Sequence, residues 1–300
     1  MFKFNFSVDT GDAETVADGE LEQKFDESTV QPAIVEISKQ DFNGLTGTAD
    51  SKVEELIIDK CTFRKRIFLG EQTGLGDLVK TSDLVSGVYE GGFKLWECAV
   101  DMVTYLQELK GENELSCVHG KRVADIGCGH GLPGVWCAQE GAAYVAFQDL
   151  NHEVLSNCTL PNLVLNTSLS LDAITSTLSV SSSRAGFFAG DWKLASTLSS
   201  LMLSAGAAGS EEGRYDFIVT CDTLYSSASL PFLRQMFDLL LTSKGVAYVA
   251  AKRFYFGVGG SVSEFLHLCQ NSSPRFVGEV VRSFEDGKSN IRDIIKIVRE

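Results

Sequence analysis

The sequence lacks the cysteine and histidine patterns that build disulfide frameworks and metal centres. None of its eight cysteines forms a C-x-x-C pair, and its four histidines do not have the spacing of metal ligands. We therefore predict free, mostly buried thiols in a reducing compartment, and no metal site. An apolar run of about 20 residues, the length of a membrane span, is also absent, so no membrane association is expected.

Positive charge is scarce as well. The chain has 26 Lys and Arg against 40 Asp and Glu, a formal net charge of -14. Residues 1–50 are an acidic segment that we predict to be mostly disordered, except for an aromatic alternation at residues 2–6 that is a candidate docking tip. An acidic chain is a poor match for nucleic-acid phosphates, so we expect no direct nucleic-acid binding, whereas a basic protein partner fits.

The first residues carry no basic region followed by an apolar run, and we expect no secretory leader. Together with the predicted reduced thiols, this favours a cytoplasmic and/or nuclear protein, and we expect a monomer.

The rest of the chain is organised around residues 123–134. An apolar strand pattern at 123–126 contains Asp125 and runs into Gly127, Gly129, Gly131 and Gly134, after which a helical pattern begins. Strand, glycine turn and helix form the nucleotide-binding unit of doubly wound α/β folds. Further strands are predicted at 144–149, 186–189, 215–220, 246–251, 276–281 and 291–298, with helices at 93–109, 152–166, 231–241 and 261–269.

The two consecutive strands at the end of this series predict an antiparallel hairpin that closes an otherwise parallel sheet. We therefore predict an α/β fold with a Rossmann-like, seven-stranded sheet in a single domain over residues 82–300. Residues 51–81 are a lead-in to this domain. Residues 195–213, which are rich in Ser, Ala and Gly, are predicted as a connector.

The spacing of Gly129, Gly131 and Gly134 matches the dinucleotide fingerprint, but two features argue against NAD. Asp125 lies beside the glycines, where an acid opposes a pyrophosphate and suits a cationic ligand such as S-adenosylmethionine, and the terminal hairpin is foreign to dinucleotide folds. Asp149 ends the second strand of the domain and is a candidate acceptor for both ribose hydroxyls.

Asp191 and Trp192 end the third strand. There the indole offers a stacking face for an adenine, and the carboxylate offers an acceptor for the exocyclic amine.

Several segments carry a family resemblance. Residues 82–98 (SDLVSGVYEGGFKLWEC) and 255–260 (YFGVGG) are the selective ones, and segments 2–6, 123–134, 147–151, 159–162 and 222–225 agree with them. Together they resemble the eukaryotic protein-histidine N-methyltransferases, a family of the seven-stranded class I methyltransferases that use S-adenosylmethionine. His130, where a small residue is expected, and a short linker before residue 82 depart from the family pattern.

The resemblance implies the fold, the cofactor S-adenosylmethionine, and a substrate histidine on a large-subunit ribosomal protein. It assigns cofactor contacts to the helix start, the glycine turn and the strand ends, namely Leu95, Trp96, Glu97, Cys98, Ala99, Gly127, Gly129, Gln148, Asp149, Leu150, Trp192 and Cys221.

Asp222 and Tyr225 are the candidate catalytic residues, because they follow the fourth strand of the domain at the mouth of the sheet. An imidazole, with a pKa of about 6.5, is already nucleophilic near pH 7 and needs an orienting acceptor more than a strong base. Two alternatives stay open at this point. One is a protein-lysine methyltransferase of the related seven-stranded group, and the other is a non-catalytic binding or assembly module.

Overall fold

The computed structural model describes residues 52–68, 73–111, 116–169, 184–204, 213–287 and 290–300. The acidic segment 1–50 and its candidate docking tip lie outside these ranges. In chain order the described elements are β1 Val53–Ile58, β2 Cys61–Arg66, α1 Gly76–Thr81, α2 Glu97–Lys110, β3 Arg122–Ile126, α3 Leu132–Gln139, β4 Tyr144–Asp149, α4 His152–Val154, a π-helical turn Leu155–Thr159, α5 Leu160–Asn166, β5 Ala185–Ala189, α6 Ala195–Ser204, β6 Tyr215–Cys221, α7 Leu230–Leu240, β7 Leu241–Lys252, α8 Val262–Asn271, β8 Phe276–Phe284 and β9 Arg292–Arg299.

The main sheet has seven strands in the order β5-β4-β3-β6-β7-β9-β8. Strands β3 to β7 pair in parallel, and β9 runs antiparallel to both β7 and β8. The predicted seven-stranded sheet and its closing hairpin are therefore confirmed. The chain builds outward from β3 to β5 and then restarts at β6 on the other side of β3. This change of direction is the switch point at which open α/β sheets form a ligand crevice.

Helices cover both faces of the sheet. One apolar cluster joins the sheet to α2, α3 and α5, and a second joins it to α6, α7 and α8. All six residues of β4 are buried, which is typical of a parallel strand covered on both faces. This three-layer packing explains why the central strands appear in the sequence as short, nearly continuous apolar runs.

Several elements differ from the sequence prediction. The predicted helix 93–109 begins only at Glu97, and the predicted helix 152–166 is interrupted by the π-helical turn. Helix α6 occupies residues that were predicted as a connector, and β7 begins at Leu241 rather than at residue 246. In α6 Thr197 is 1% and Leu201 0% exposed, so tertiary packing stabilises a helix whose pattern is weak. Leu241 extends β7 because it pairs with Tyr215 before a register shift.

The lead-in residues form a β-hairpin that packs on the main domain. Ile58 and Phe63 are buried in the same apolar cluster as α2 and α3. The Oδ1 atoms of Asn162 and Asn166 accept hydrogen bonds from the backbone N–H groups of Arg66 (2.9 Å) and Arg64 (2.8 Å). The helix α5 therefore holds the hairpin through backbone hydrogen bonds as well as through apolar contacts.

All eight cysteines fall in the described ranges and are free thiols. Across the same ranges, no helix is both long and apolar enough to span a membrane. Nor do these residues contain a cluster of three or more His, Cys, Asp or Glu side chains arranged to hold a metal ion.

Candidate active site

An open cleft lies at the switch point, where β3, β4, β5 and β6 end. It encloses a cavity of about 110 Å³. The lining residues come from these strand ends and from the segment before α2, and they are Ser86, Gly87, Glu90, Gly92, Trp96, Gly127, Gly129, Asp149, Leu150, Gly190, Asp191, Trp192, Lys193, Cys221, Asp222, Thr223, Tyr225, Ser226, Ala228 and Ser229.

The turn between β3 and α3 requires glycine for steric reasons. Gly127 has φ 62°, and a Cβ atom there would lie 2.8 Å from the Thr223 Cγ2 atom. Gly131 is the left-handed residue before α3, with φ 70°, and its Cβ would lie 2.6 Å from the Thr159 Cγ2 atom. The glycines therefore keep the backbone close to the cleft and to the neighbouring helix at once.

Asp149 lines the cleft from the end of β4. Its Oδ2 atom accepts a hydrogen bond from the Gly129 N–H (2.9 Å), and its Oδ1 atom accepts one from the Asn151 N–H (3.3 Å). Burial raises the pKa of this carboxyl to about 6, although the backbone N–H groups oppose the shift. The carboxylate is thus held in one orientation, with lone pairs left over for a hydroxyl-bearing ligand.

Trp192 also lines the cleft, and Gln148 fixes its orientation. The Trp192 Nε1–H donates to the Gln148 Oε1 atom at 2.7 Å. The same oxygen accepts from the Gly127 N–H (3.3 Å), while the Gln148 Nε2 atom donates to the Gly190 carbonyl (2.8 Å). Gln148 is fully buried and does not line the cleft. The structure therefore places this predicted contact residue behind the wall, where it aligns three parts of the site.

Asp125 lies behind the cleft wall as well, at 1% exposure. Its Oδ2 atom accepts a hydrogen bond from the Gly134 N–H (2.9 Å), so the side chain braces the glycine turn against the first turn of α3. Burial raises the pKa of this carboxyl to about 8. In the structure Asp125 is an acid that hydrogen-bonds the turn. A direct contact between Asp125 and a ligand stays a prediction.

Trp96 lines the cleft at the residue before α2. Its Nε1–H donates to the Gly91 carbonyl at 3.0 Å, and the ammonium groups of Lys94 and Lys252 lie 4.5 and 5.2 Å from its ring centroid. A Cβ atom at Gly91 would lie 3.0 Å from the indole. The segment before α2 therefore fixes the ring at the cleft wall.

The other four contacts predicted at this helix start do not line the cleft. Leu95 packs against the apolar core, and Cys98 and Ala99 are buried. The Glu97 carboxylate lies 3.9 Å from the Lys252 ammonium. These residues shape the site indirectly, and their predicted cofactor contacts stay predictions.

Cys221, Asp222 and Tyr225 all line the cleft where β6 ends. Asp222 has a positive φ of 56°, and its Oδ2 atom accepts a hydrogen bond from the Cys98 N–H at 3.2 Å. Its Oδ1 atom accepts one from the Tyr255 hydroxyl at 2.9 Å. The predicted catalytic carboxylate is thus clamped between the start of α2 and the loop after β7.

A smaller cavity adjoins the cleft and shares four residues with it. Its walls are Asp83, Leu84, Glu90, Trp96, Asp222, Tyr225, Tyr255 and Val258. Within it the Tyr225 hydroxyl donates a hydrogen bond to the Glu90 carboxylate. Burial, followed by the charge of Glu90, raises the pKa of Tyr225 far above its usual range, so this hydroxyl keeps its proton. We call this space the acceptor cavity.

Tyr255 and Phe256, in the loop after β7, have different surroundings. Tyr255 is buried in the acceptor cavity, whereas Phe256 is 79% exposed and lines neither cavity. The loop that carries them is bound to the end of β6, since the Gly260 N–H donates to the Tyr225 carbonyl at 3.0 Å. Gly260 is required for this close approach, because a Cβ would collide with the Leu224 carbonyl.

His130, the unexpected residue in the glycine turn, has a structural role. It is 3% exposed, and its Nε2 atom lies 2.9 Å from the Phe93 carbonyl, to which it donates. Burial lowers its pKa to about 4, so the ring stays neutral. His130 thereby connects the glycine turn to the segment that carries Glu90 and Trp96.

Sequence reasoning missed Glu90, Gly92, Thr223 and Lys193 as lining residues. Glu90 and Gly92 lie inside the selective segment 82–98, so that segment was the available signal. Thr223 lies between the two predicted catalytic residues, and Lys193 directly follows Trp192. Including the residue on either side of each predicted contact at a strand end would have identified both Thr223 and Lys193.

The residues of the cleft fit S-adenosylmethionine chemically. Asp149 offers acceptors for the ribose hydroxyls, and Trp192 with Asp191 offers an indole face and an acceptor for the adenine. The glycine turn leaves open a cradle that a Cβ at Gly127 would fill. Carboxylates and indoles also suit a ligand with positively charged groups.

Similar proteins agree with this interpretation. The chain is 38% identical over 223 residues to a protein of Dictyostelium discoideum named histidine protein methyltransferase 1 homolog, covering 74% of this chain and 62% of that protein. It is 36% identical over 219 residues to the Bos taurus protein of the same name, covering 69% and 56%. The Schizosaccharomyces pombe histidine protein methyltransferase 1 is 34% identical over 205 residues, covering 61% and 58%. No family model matches the chain.

A solved structure described as a SAM-dependent methyltransferase from Streptococcus mutans superposes with a TM-score of 0.52 at 12% identity, covering 84% of this chain and 57% of that one. The fold is therefore that of the SAM-dependent methyltransferases, as predicted. Within that class the chain is a homologue of the eukaryotic proteins named histidine protein methyltransferase 1, which confirms the resemblance found in the sequence. The chain spans less than two thirds of the length of these curated relatives.

Proposed function

We propose that this protein is a S-adenosylmethionine-dependent protein-histidine N-methyltransferase that acts on a large-subunit ribosomal protein. The observation that carries the proposal is that the two cavities share wall residues. Asp149 and Trp192 line the cleft, and Trp96, Asp222 and Tyr225 line the cleft and the acceptor cavity together. Cofactor and acceptor can therefore meet at the end of β6. The names of the homologues support the same reaction.

The main task of these residues is alignment. The cofactor supplies an electrophilic methyl group on a sulfonium sulfur. Trp96 and Tyr225 line both cavities, and holding two reactants in line replaces a bimolecular encounter by a nearly unimolecular one. Asp222 is fixed by the Cys98 N–H and the Tyr255 hydroxyl, so its position does not depend on the substrate. Little reorganisation is then needed before reaction.

The acceptor cavity favours histidine over lysine. Glu90 and Asp222 contribute two carboxylates to its wall, and Asp83 contributes a third that is paired with the Lys94 ammonium. Negative charge beside a lysine stabilises the ammonium, which has a pKa of about 10.4 in water and cannot attack until it loses a proton. Neutral imidazole has a free lone pair near pH 7, and its N–H can donate to a carboxylate. Nearby carboxylates therefore hinder an amine nucleophile and orient an imidazole.

The expected partners follow from charge and from the homologues. The net charge of -14 suits a basic ribosomal protein and opposes direct binding to nucleic acid. We carry forward as proposals a monomeric enzyme and a cytoplasmic and/or nuclear location.

The substrate is tested by incubating the purified protein with methyl-labelled S-adenosylmethionine and salt-washed eukaryotic large ribosomal subunits, followed by electrophoresis. We expect label in one basic protein and an Asp222→Ala variant that transfers at least about a hundredfold more slowly. Label confined to ribosomal RNA, or an even background in all proteins, would refute the proposed substrate class.

A further inference from the structure

Glu90 lies at the boundary between the two cavities and lines both of them. Its two carboxylate oxygens have different partners. The Oε1 atom accepts a hydrogen bond from the Gly87 N–H at 3.0 Å, and the Oε2 atom accepts one from the Tyr225 hydroxyl. One oxygen is thus anchored to the backbone, while the other is bound by a side-chain hydroxyl that lines the same two cavities.

The other two carboxylates of the cavity are held differently. Asp83 forms an ion pair with the Lys94 ammonium at 2.9 Å and lines the acceptor cavity but not the cleft. Asp222 lines both cavities and, like Glu90, is bound by a backbone N–H and a tyrosine hydroxyl, but its Tyr255 hydroxyl also accepts a hydrogen bond from the Lys252 N–H at 3.1 Å. Of the two carboxylates that line both cavities, Glu90 is therefore the one whose donor hydroxyl is less firmly held.

We propose that Glu90 is a further catalytic residue of the proposed reaction, and that its Oε2 atom accepts the N–H of the target imidazole. In the substrate-free protein the Tyr225 hydroxyl takes the place of that N–H. The inference rests on the proposed function, because it names the group that binds the acceptor in that site. It also supplies the orienting acceptor that histidine methylation needs, a role for which the sequence had favoured Asp222.

The reaction balances with this assignment. The lone pair of the unprotonated ring nitrogen forms the N–CH₃ bond as the S–CH₃ bond breaks and leaves its electron pair on sulfur. The positive charge then lies on the methylated ring, whose remaining N–H faces Glu90 and is stabilised by the carboxylate. That proton passes to solvent when the product leaves. Because the carboxylate binds one nitrogen, it also selects which of the two nitrogens is methylated.

The first test measures binding of 4-methylimidazole, a mimic of the side chain, to the full chain without cofactor by isothermal titration calorimetry near pH 8. We expect Glu90→Gln to weaken binding about tenfold, since it replaces a charged acceptor by a neutral one. Glu264→Gln is the matched control, because Glu264 is exposed, lines neither cavity and accepts only from the Ser227 hydroxyl in this region. We expect it to bind as the wild type does.

Tyr225→Phe separates an acceptor role from a structural one. Tyr225→Phe removes the Glu90–Tyr225 hydrogen bond, and Glu90→Gln only weakens it, so a purely structural contact predicts a loss for Tyr225→Phe at least as large as that for Glu90→Gln. The proposal predicts that Tyr225→Phe binds the probe no more weakly than the wild type, because a competing donor is gone. Equal losses, an unchanged Glu90→Gln, or no binding by the wild type would each overturn it.

The second test is the distribution of methylhistidine isomers in labelled ribosomal protein. We expect one isomer from the wild type and a mixture from Glu90→Gln, since a glutamine can either donate to the ring or accept from it. An unchanged single isomer at unchanged rate would overturn the assignment of Glu90. If the wild type makes no methylhistidine but binds the probe through Glu90, the proposed function fails while the binding site stands.

Discussion

Gln148 and Asp149, the last two residues of β4, have different tasks in the site. Asp149 faces the cleft and binds the Gly129 N–H, whereas Gln148 turns inward and aligns Gly127 and Trp192. Their proximity in sequence conceals this difference, because alternate residues of a strand point to opposite sides. One of the pair is expected to contact the ligand, and the other to hold its surroundings in place.

Protonation of Asp149 should weaken cofactor binding in acid. Its pKa is raised to about 6, so the carboxyl is ionised above that pH and protonated below it. A protonated carboxyl loses acceptor capacity for the ribose hydroxyls. We expect the affinity for S-adenosylmethionine to fall as the pH decreases through about 6, measured by calorimetry across a pH series. Asp149→Asn should bind more weakly and remove this pH dependence, and an identical pH profile in that variant would exclude Asp149 as the origin.

Removing the Gln148 amide should damage both stability and cofactor binding. Gln148→Leu leaves the Trp192 N–H, the Gly127 N–H and the Gly190 carbonyl without their partner. Buried unsatisfied groups cost about 1–3 kcal/mol each, so we expect a loss of at least about 2 kcal/mol in the free energy of unfolding. We also expect at least about tenfold weaker cofactor binding. Urea unfolding and calorimetry measure the two effects.

The matched control is Gln270→Leu on the exposed side of α8, for which a change within about 0.5 kcal/mol is expected. If Gln148→Leu changed the free energy of unfolding no more than Gln270→Leu does, the hydrogen bonds of Gln148 would make no contribution to stability.

At the scale of single residues, the sequence predicts only part of the site. Strand ends and glycines indicate Gly127, Asp149 and Trp192, because chain position alone brings them to one edge of the sheet. The contact between Glu90 and Tyr225 joins residues 135 positions apart. No local pattern predicts it, since it depends on how the segment before α2 folds over the sheet.

At the scale of elements, the unit β3–turn–α3 is stabilised by a buried acid. Asp125 braces the first turn of α3 through the Gly134 N–H. Burial raises its pKa to about 8, well above its value in an unfolded chain. The folded state therefore binds a proton that the unfolded state releases between about pH 4 and pH 8.

The sign of the resulting pH dependence follows directly. Wherever the folded state binds more protons, the free energy of unfolding falls as the pH rises. We expect the contribution of Asp125 to be present below about pH 4 and to be lost by about pH 8. Asp125→Asn keeps an acceptor for Gly134 and should lose less stability than the wild type over this range, measured by urea unfolding at a series of pH values. Parallel curves would refute the shifted pKa.

Elements with strong periodicity were predicted within a few residues, as β4 and β6 illustrate. Helix α6 was missed because its sequence is rich in Ser and lies in a longer stretch rich in Ser, Ala and Gly, and its formation depends on packing between β5 and α7. The early start of β7 depends on pairing with β6, which is a tertiary effect. Local patterns therefore give the elements that bury much apolar surface, and they miss those that depend on their neighbours.

At the scale of the molecule, one side chain connects the lead-in hairpin to the glycine turn. The Asn162 Oδ1 atom accepts from the Arg66 N–H at 2.9 Å, and its Nδ2 atom donates to the His130 carbonyl at 2.9 Å. Asn162 is fully buried. The hairpin and the cleft are thus joined through a residue that lines neither cavity.

Asn162→Ala should destabilise both the lead-in hairpin and the glycine turn. The hydrogen bonds to the Arg66 N–H and the His130 carbonyl are lost, together with the 3.4 Å contact to the His130 Nδ1 atom, and we expect a decrease of about 2–4 kcal/mol in the free energy of unfolding. Hydrogen exchange should become faster in β2 and in the glycine turn together. Asn271→Ala, at the exposed end of α8, removes a single hydrogen bond to the His267 carbonyl and is the control. Faster exchange in β2 alone would mean that the hairpin and the turn are not coupled.

The central claim is that the protein transfers a methyl group to histidine at the site formed by the cleft and the acceptor cavity. Amino-acid analysis of a labelled acceptor tests it most directly. The purified protein is incubated with methyl-labelled S-adenosylmethionine and large ribosomal subunits, and the labelled protein is hydrolysed in acid. We expect the label to elute as methylhistidine. Label in methyl-lysine, or an unlabelled hydrolysate from a protein that binds the cofactor, would contradict it.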